Sequence, residues 1–519
     1  MRWALRVVLS VGLGLMGCLS PLVDPTPMVA VAPQLVQTEV DLLFVIDNSP
    51  SMRPKQDELV ARFPELVKLL DDLGQTGRPA SYHIGVITSD LGAGSTVVGS
   101  ACKPGGQGGR FHPLGAAAPN GCPAPVGKAF IEYDQLHRDQ DGQPRSNLLN
   151  DKSVDSLART LGCMASVGDG GCGFAHSLEA AYLAIRDAPN LAENQGFFRR
   201  NSLLVVVFVT DEDDCSADRN TDLFSASSAQ YGRLDSYRCT RFGIMRDDPM
   251  TGSPSLMPPG DSGGAVVNPR SASIEVGQKL FPIDRYIRFF GSANAARINP
   301  GNVILVGLAA PANPVSSVLA TTDSTNPLVL CNQESATCAP RLQHSCASVD
   351  NQLYGDPAVR LQAVIGSLPA DRRQLASICD SSYQSALHGI GALIGNHLGP
   401  GCISSPFLAD TVPPLGDSPD CTVTEIPPTD GEPIVTAVPL CKSSGGHKPC
   451  WELVRRDGPD GACPPTCEHA GDLAQRFGIE ILHDVNPPAG TQAQIACRTV
   501  VVAPRDSGDP ANPLGCRLQ

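Results

Sequence analysis

The stretch VDLLFVIDNSPSM, residues 40–52, leads from a series of apolar residues directly into one carboxylate and two hydroxyls. Its apolar part is continuous rather than alternating, which indicates a strand buried on both faces of a parallel sheet. Asp47, Ser49 and Ser51 follow on alternate residues, so their side-chain oxygens can converge on one point. A simple turn explains one such residue, whereas three at this spacing predict a binding loop at the end of a buried strand.

Segments with strand and helix patterns alternate along much of the chain. Further strands are predicted in SYHIGVITSD (81–90), NSLLVVVFVTDEDD (201–214) and NVILVGLAAP (302–311). Helices are predicted in QDELVARFPELVKLLDDL (56–73), HSLEAAYLAIRDA (176–188) and LASICDSSYQSALHGIGALIGNHL (375–398). Repeated units of this kind predict an α/β fold with a doubly wound, mostly parallel sheet.

Length and charge limit the classes of function. At 519 residues the chain is expected to form two or more units. The net charge of −14 argues against a nucleic-acid partner, because phosphate binding needs a cationic surface. It also disfavours electrostatic docking on anionic lipid.

The first eighteen residues have the pattern of a processed export signal. A basic start precedes the apolar run VVLSVGLGLM, residues 7–16, which is too short to span a bilayer. The following LMGC, residues 15–18, resembles the lipobox of bacterial lipoproteins. That resemblance implies cleavage before Cys18, acylation of Cys18 and attachment to a membrane of the cell envelope. Leu19 stands where the inner-membrane retention signal has Asp, which favours the outer membrane. An ordinary secretory signal is the alternative.

The cysteine content agrees with an exported protein. The chain has 19 cysteines, and removing Cys18 as the lipid carrier leaves 18, an even number. Such density is typical of an oxidising compartment, so nine disulfides are predicted. Cys163 with Cys172, Cys215 with Cys239, and Cys379 with Cys402 are candidate local pairs.

Composition divides the chain into four parts. Residues 1–18 are the signal segment, and the Pro-rich residues 19–38 form a tether. Residues 39–400 hold the α/β domain. Its long Gly- and Pro-rich inserts, predicted to be pinned by disulfides, are residues 91–151, 216–274 and 313–354. Residues 401–519 are predicted to form a small Cys-rich, β-leaning module.

The acidic residues that follow two of the strands are expected to meet at one edge of the sheet. Asp47 follows the first strand and Asp211 follows the strand in residues 201–214, and ligands bind at the carboxyl ends of strands in open α/β sheets. The Asp-x-Ser-x-Ser loop and the second strand ending in Thr-Asp resemble the von Willebrand factor type A domain with its metal-ion-dependent adhesion site. The resemblance covers roughly residues 40–400.

The resemblance implies a role for each of these residues. Ser49 and Ser51 would ligate a divalent cation directly, and Asp47 and Asp211 would hold it largely through water. Mg²⁺ is the first expectation, with Mn²⁺ or Ca²⁺ as alternatives, since hard oxygen donors suit these ions. A carboxylate from a protein partner would complete the shell.

One element departs from the family pattern. The family usually offers a Thr in the Gly-rich loop before the mid-domain helix, and here that loop is VGDGGCGFAHSL, residues 167–178. Asp169 is a substitute donor, and Cys172 is expected in a disulfide. In the acidic run after the second strand, Asp213 is a further candidate ligand. Glu212 and Asp214 are interpreted as a solvated loop.

Other interpretations of the same motifs lead to different functions. Asp47 and the serines could cap the following helix, although this leaves Asp211 unexplained. GDSGG (260–264) matches the nucleophile motif of trypsin-like proteases, but the histidines before it lack the required context. CPPTCEH (463–469) could bind zinc, yet disulfides are favoured in an oxidising compartment. The prediction is therefore a binding protein and not an enzyme. The competing class is a scaffolding lipoprotein that needs no metal.

Overall fold

The computed structural model describes most of the chain between residues 34 and 497. The described residues are 34–35, 38–75, 80–94, 102–149, 151–199, 202–247, 254–256, 270–271, 279–291, 302–323, 327–398, 421–426, 435–455, 477–483 and 492–497. The signal segment with Cys18, the GDSGG sequence and the CPPTCEH sequence lie outside these ranges.

A seven-stranded sheet forms the centre of the fold. Its strands are β1 (Glu39–Ile46), β2 (Ser81–Thr88), β3 (Ile131–Arg138), β4 (Pro144–Ser146), β5 (Leu203–Val209), β6 (Val303–Ala309) and β7 (Arg373–Ser377). Across the sheet the order is β7-β6-β5-β1-β2-β3-β4. The five strands from β7 to β2 pair in parallel, and β3 and β4 extend the sheet antiparallel.

Helices cover both faces of this sheet. They are α1 (Arg53–Gln75), α2 (Val154–Ala165), α3 (Ser177–Arg186), α4 (Tyr237–Gly243), α5 (Asp284–Gly291), α6 (Val359–Gly366) and α7 (Gln384–His397). Leu42 and Phe44 of β1 belong to a core shared with α1, α2 and α7, whereas Leu43 and Val45 belong to one shared with α3, α5 and α6. Alternate side chains of a strand point to opposite faces, so β1 is buried on both. The predicted doubly wound, mostly parallel α/β fold is confirmed.

Part of the first predicted insert belongs to the sheet. Residues 91–151 contain β3 and β4, and β3 pairs with β2. Its sequence IEYDQLHR alternates between buried and partly exposed side chains, as expected near the edge of a sheet. The interpretation of this whole segment as a loop was wrong, because its Gly- and Pro-rich flanks hid a short alternating strand.

Small antiparallel pairings occupy the remaining inserts and the C-terminal region. In the inserts, Ile244–Asp247 pairs with Pro254–Leu256 and Arg270–Ser271, Ser317–Thr321 pairs with Cys338–Leu342, and Cys346–Ala347 pairs with Tyr354–Gly355. Beyond residue 401 the strands are Cys421–Ile426, Thr436–Val438, Cys450–Arg455, Phe477–Leu482 and Gln492–Cys497. The predicted β character of this region is confirmed. Gln34–Leu35, from the predicted tether, pairs with Gln492–Cys497, the last described strand of the C-terminal region.

Disulfides cross-link the inserts, though only one of the three suggested pairs is present. The described bonds are Cys102–Cys172, Cys122–Cys163, Cys215–Cys239, Cys331–Cys338, Cys346–Cys379 and Cys441–Cys450. Cys215–Cys239 is confirmed. The pairs Cys163–Cys172 and Cys379–Cys402 were wrong. Cys163 in α2 bonds to Cys122 and Cys379 after β7 bonds to Cys346, because the inserts that hold these partners fold back onto α2 and β7. Cys402 lies outside the described ranges.

In the part of the chain that the structure describes, no helix combines the length and apolar character needed to cross a bilayer.

Candidate metal site

The predicted site lies where the carboxyl ends of β1 and β5 meet. The amide of Asp47 donates to the carbonyl of Val209 (2.9 Å), and the amide of Thr210 donates to the carbonyl of Leu308 (3.2 Å). The chain runs from β1 outwards through β2, β3 and β4 before it returns to β5 on the other side of β1. The crevice between β1 and β5 is therefore a topological switch point, the usual ligand position in such sheets.

Asp47 is completely buried and its carboxylate is held by three donors. Oδ1 accepts from the Ser49 amide (2.9 Å) and the Ser89 hydroxyl (3.3 Å), and Oδ2 accepts from the Thr210 hydroxyl (2.8 Å). Burial, and next the negative charge of Asp211, raise the pKa of Asp47 to about 6, although the bonds from Ser49 and Thr210 oppose the shift. These hydrogen bonds thus orient the carboxylate, but they do not bring its pKa down to the usual value for an aspartate.

The two serines of the motif lie side by side. Their Oγ atoms are 3.3 Å apart, with Ser49 buried and Ser51 partly exposed. Ser49 precedes a short 3₁₀ turn, Pro50–Met52, that leads into α1, but its side chain makes no capping bond to that turn. The helix-cap interpretation therefore does not account for this hydroxyl.

One carboxylate oxygen of Asp211 pairs with a lysine, and the other has no hydrogen-bond partner. Its Oδ2 lies 2.6 Å from Nζ of Lys55, and both side chains are buried. Its Oδ1 is buried without a hydrogen-bond partner. Buried polar atoms are normally paired, so such an oxygen calls for an explanation such as an ion or a water molecule.

Further acidic groups surround this pair. Glu212 is half-buried, and its pKa is raised well above the usual value by burial and then by Asp47, Asp211 and Asp356. Burial raises the pKa of Asp356, and the bond from Nδ1 of His344 (2.6 Å) opposes that shift. The backbone ties this group to the site, because the Asp356 amide donates to the Asp211 carbonyl (2.8 Å). Carboxylates crowded in a buried place favour either protonation or a bound cation.

The Gly-rich loop packs directly against the motif loop. Nε2 of the Gln56 side chain donates to the backbone carbonyls of Asp47 (2.9 Å) and Gly168 (2.8 Å). Its Oε1 accepts from the backbone amide of Gly168 (3.0 Å). A Cβ on Gly171 would lie 2.2 Å from Oδ1 of Asn48, so a larger residue there would require the Asn48 side chain to shift. Asn48 Oδ1 is a second buried oxygen without a partner.

Two expectations for that loop came from the sequence: Asp169 as a substitute ligand and Cys172 in a disulfide. Asp169 is exposed on the loop that covers the motif, and its role as a ligand stays a prediction. Cys172 is in a disulfide, as expected, but its partner is Cys102.

The acidic run after β5 is not a solvated loop. Asp213 is buried and accepts from the amides of Arg360 (3.0 Å) and Leu361 (3.1 Å) at the start of α6, so its bonds are with this helix. Asp214 is buried against Arg360 (3.1 Å) and accepts from the amide of Leu178 in α3 (3.0 Å). Glu212 is only half-buried. The interpretation of Asp214 as solvated was wrong, because its carboxylate is buried against the N-terminus of α3 and the side chain of Arg360.

Several residues at the site escaped the sequence reasoning. Lys55 and Gln56 were absorbed into the predicted helix, where a polar residue is ordinarily solvent-exposed. Ser89 and Thr210 follow β2 and β5, so their position at strand ends was the available signal. Tyr354 comes from the end of the third predicted insert, and its ring centroid lies 4.0 Å from Nζ of Lys55. The sequence holds no pattern that indicates this last contact.

The donor set fits a hard divalent cation in three respects. Two neighbouring hydroxyls, one unpaired buried carboxylate oxygen and an excess of nearby carboxylates are what such an ion needs. Lys55 is the opposing feature, because it already neutralises part of Asp211. In the described ranges no three side chains of His, Cys, Asp or Glu group as metal ligands, so the predicted site depends on the serines.

Comparison with known proteins finds neighbours in structure. No family model and no curated protein matches the chain. A von Willebrand factor type A protein from Catenulispora acidiphila is 10% identical with a TM-score of 0.26, covering 90% of this chain and 62% of its own. The pilus adhesin SpaC from Lactobacillus rhamnosus GG is 10% identical with a TM-score of 0.29, covering 90% and 41%. The pilus adhesin RrgA from Streptococcus pneumoniae is 12% identical with a TM-score of 0.26, covering 89% and 56%.

The chain thus spans less than two thirds of the length of each of these three structures. Likeness at this level carries no argument about function. The fold itself, a mostly parallel sheet with helices on both faces, is consistent with the von Willebrand factor type A-like arrangement expected from the sequence.

Proposed function

We propose that this protein binds a protein partner through a divalent cation held at the carboxyl ends of β1 and β5. Ser49 and Ser51 would offer hydroxyl oxygens, and Asp47 and Asp211 would supply negative charge close by. A bound Mg²⁺, or alternatively Mn²⁺ or Ca²⁺, would act as a Lewis acid for a carboxylate of the partner. Asp169 remains a candidate donor from the Gly-rich loop, whereas the bonds of Asp213 to α6 leave it a weaker one.

The observation that carries this proposal is the unpaired oxygen of Asp211. Oδ1 is buried, the two hydroxyls of the motif loop are 3.3 Å apart, and burial together with the charges of neighbouring carboxylates raises the pKa of Asp47 and of Glu212. A cation would pair this oxygen and relieve that repulsion at once. Because the described residues at the ends of β1 and β5 supply binding groups rather than a nucleophile with its base, we propose recognition and not catalysis.

The proposed setting is the cell envelope. Lipidation of Cys18 would anchor the protein in the outer membrane, and the cross-linked inserts suit an oxidising compartment. The acidic balance of the chain, with a net charge of −14, gives no support to a nucleic-acid partner.

A second candidate function rests on Lys55. Its ammonium already neutralises Asp211, so the same fold could hold envelope partners through its inserts without any metal. In this scaffold the motif would be a remnant that Lys55 keeps stable.

Calorimetric titration separates the two candidates. The full chain would be titrated with Mg²⁺, Mn²⁺ and Ca²⁺, beside Asp47→Ala and the control Asp57→Ala, which removes an exposed acid from α1. Metal-assisted binding predicts heat from wild type and the control but none from Asp47→Ala. Absence of binding by wild type favours the scaffold.

A further inference from the structure

A buried lysine lies inside the candidate site. Nζ of Lys55 is 2.6 Å from Oδ2 of Asp211 and donates to the carbonyl of Ser51 at 3.0 Å. The ring of Tyr354 lies on it with its centroid 4.0 Å away. The whole side chain of Lys55 is inaccessible to solvent. Lysine is rarely buried without a charge partner, and here the partner is Asp211, so the surroundings of Lys55 stabilise a buried positive charge.

The surroundings of the ammonium satisfy a positive charge from three directions. The carboxylate neutralises it, the Ser51 carbonyl accepts a second hydrogen bond, and the face of an aromatic ring attracts a cation. Ser51 also carries one of the proposed ligand hydroxyls. The same loop therefore serves the lysine through its backbone and the proposed ion through its side chain.

The aromatic ring is held in place by an insert. Tyr354 belongs to the hairpin of Cys346–Ala347 and Tyr354–Gly355, and the Cys346–Cys379 disulfide fastens this hairpin beside β7. His344 stacks on Tyr354 with ring centroids 4.5 Å apart and bonds to Asp356. The insert thus supplies an aromatic ring in direct contact with the Lys55 ammonium.

We propose that Lys55 is a tethered cation that competes with the divalent ion for Asp211 and sets the ion concentration at which the site loads. This rests on the proposed function. Without the ion, Lys55 neutralises Oδ2 while Oδ1 stays unpaired. A divalent ion close to Asp211 would repel the ammonium strongly in this buried place, so loading requires Lys55 to withdraw. The lysine lowers the affinity of the site and restricts binding to places where divalent ions are abundant.

The decisive experiment compares the affinity of three proteins for Mn²⁺ by calorimetry. They are the full-length wild type, Lys55→Met and the matched control Lys68→Met, which removes an exposed lysine of α1 that pairs with Asp72. We expect Lys55→Met to bind Mn²⁺ at least tenfold more tightly than wild type, and Lys68→Met to bind as wild type does. Equal or weaker binding by Lys55→Met, with wild type binding, overturns the competition and leaves the proposed function standing.

Two other outcomes separate the inference from the proposed function. Binding by Lys55→Met but not by wild type supports the tethered cation and shows that it has replaced the metal, which contradicts metal-assisted recognition. Binding by neither protein overturns both.

A second measurement covers the case that Lys55→Met folds poorly. Thermal unfolding in chelator should occur at a lower temperature for Lys55→Met than for wild type, and Mg²⁺ should raise it more in the variant. Tyr354→Leu keeps the charge but removes the ring, so it should tighten Mn²⁺ binding by a smaller factor. If Mg²⁺ shifts Lys55→Met no more than wild type, and Tyr354→Leu leaves the affinity unchanged, competition is contradicted.

Discussion

Nζ of Lys55 on α1 lies 2.6 Å from Oδ2 of Asp211 after β5, and neither side chain is accessible to solvent. This ion pair joins the start of α1 to the loop after β5, and its two residues are 156 positions apart in the chain. It places a fixed positive charge in a group of carboxylates that otherwise repel one another. Both the stability of the domain and its affinity for a cation should therefore depend on it.

The stability of the Lys55–Asp211 pair can be measured by a double-mutant cycle. In chelator, Lys55→Met should lower the free energy of unfolding by about 3–5 kcal/mol, because it leaves an uncompensated buried charge. Lys55→Met combined with Asp211→Asn should recover much of this loss, since the charge is then removed. Urea denaturation followed by circular dichroism gives the values.

The control for this cycle is Lys68→Met on the same helix. Its side chain is 70% exposed and its ion pair with Asp72 is solvated, so the change should be within about 1 kcal/mol. If Lys55→Met is no more damaging than Lys68→Met, the buried pair is not a stabilising feature of the metal-free protein.

Cation binding should weaken in acid because of Asp47. Burial and the charge of Asp211 raise the pKa of Asp47 to about 6. A cation favours the ionised carboxylate, so protons compete with it below this pH. Affinity for Mg²⁺ should be nearly constant from pH 7 to 8 and should fall by about tenfold per unit below pH 6. Titrations at pH 7.5, 6 and 5 test this, and an affinity that is unchanged at pH 5 would refute it.

Disulfides should hold the inserts and the C-terminal region in place. A disulfide typically adds about 2–4 kcal/mol, largely by restricting the unfolded chain. After reduction, proteases should first cut within residues 91–130, ahead of β3, within 216–274 and beyond 401, while the strands around Val45 and Val206 persist. Limited proteolysis with and without reductant, with fragments assigned by mass, reveals the order. An identical pattern in both conditions, or mostly free thiols, would contradict the disulfide framework.

Anchoring should depend on the first cysteine. Cys18→Ala should leave an unprocessed precursor and abolish labelling by a fatty-acid probe. Immunoblotting and probe fluorescence in the native host check both effects, with Cys441→Ala, which removes a cysteine of the C-terminal region, as the matched control. Normal cleavage and labelling of Cys18→Ala would show that the lipobox interpretation is wrong.

The four central strands β1, β2, β5 and β6 were predictable because they are largely buried. Continuous apolar runs such as LLVVVFV in β5 have few alternatives to a parallel strand flanked by helices. The strand β3, next to the edge strand β4, was not predictable in the same way. Its alternating pattern is short, and its position depends on pairing with β2 rather than on its own sequence.

The site was predictable only where sequence position determines geometry. Asp47 and Asp211 follow two parallel strands, so a doubly wound sheet places both at the same edge, and in this sheet the two strands are neighbours. Lys55 could not be identified in advance, because a lysine in the first turns of a helix is ordinarily solvated. In the fold it contacts Tyr354, whose hairpin is fastened beside β7 by the Cys346–Cys379 disulfide.

The most direct test of metal-assisted recognition is to locate Mn²⁺ by its anomalous scattering in crystals of the protein. We expect one peak within bonding distance of the Oγ atoms of Ser49 and Ser51, with Nζ of Lys55 withdrawn from Asp211. At saturating Mn²⁺, absence of a peak at the ends of β1 and β5, with the contact between Lys55 and Asp211 intact, would contradict it.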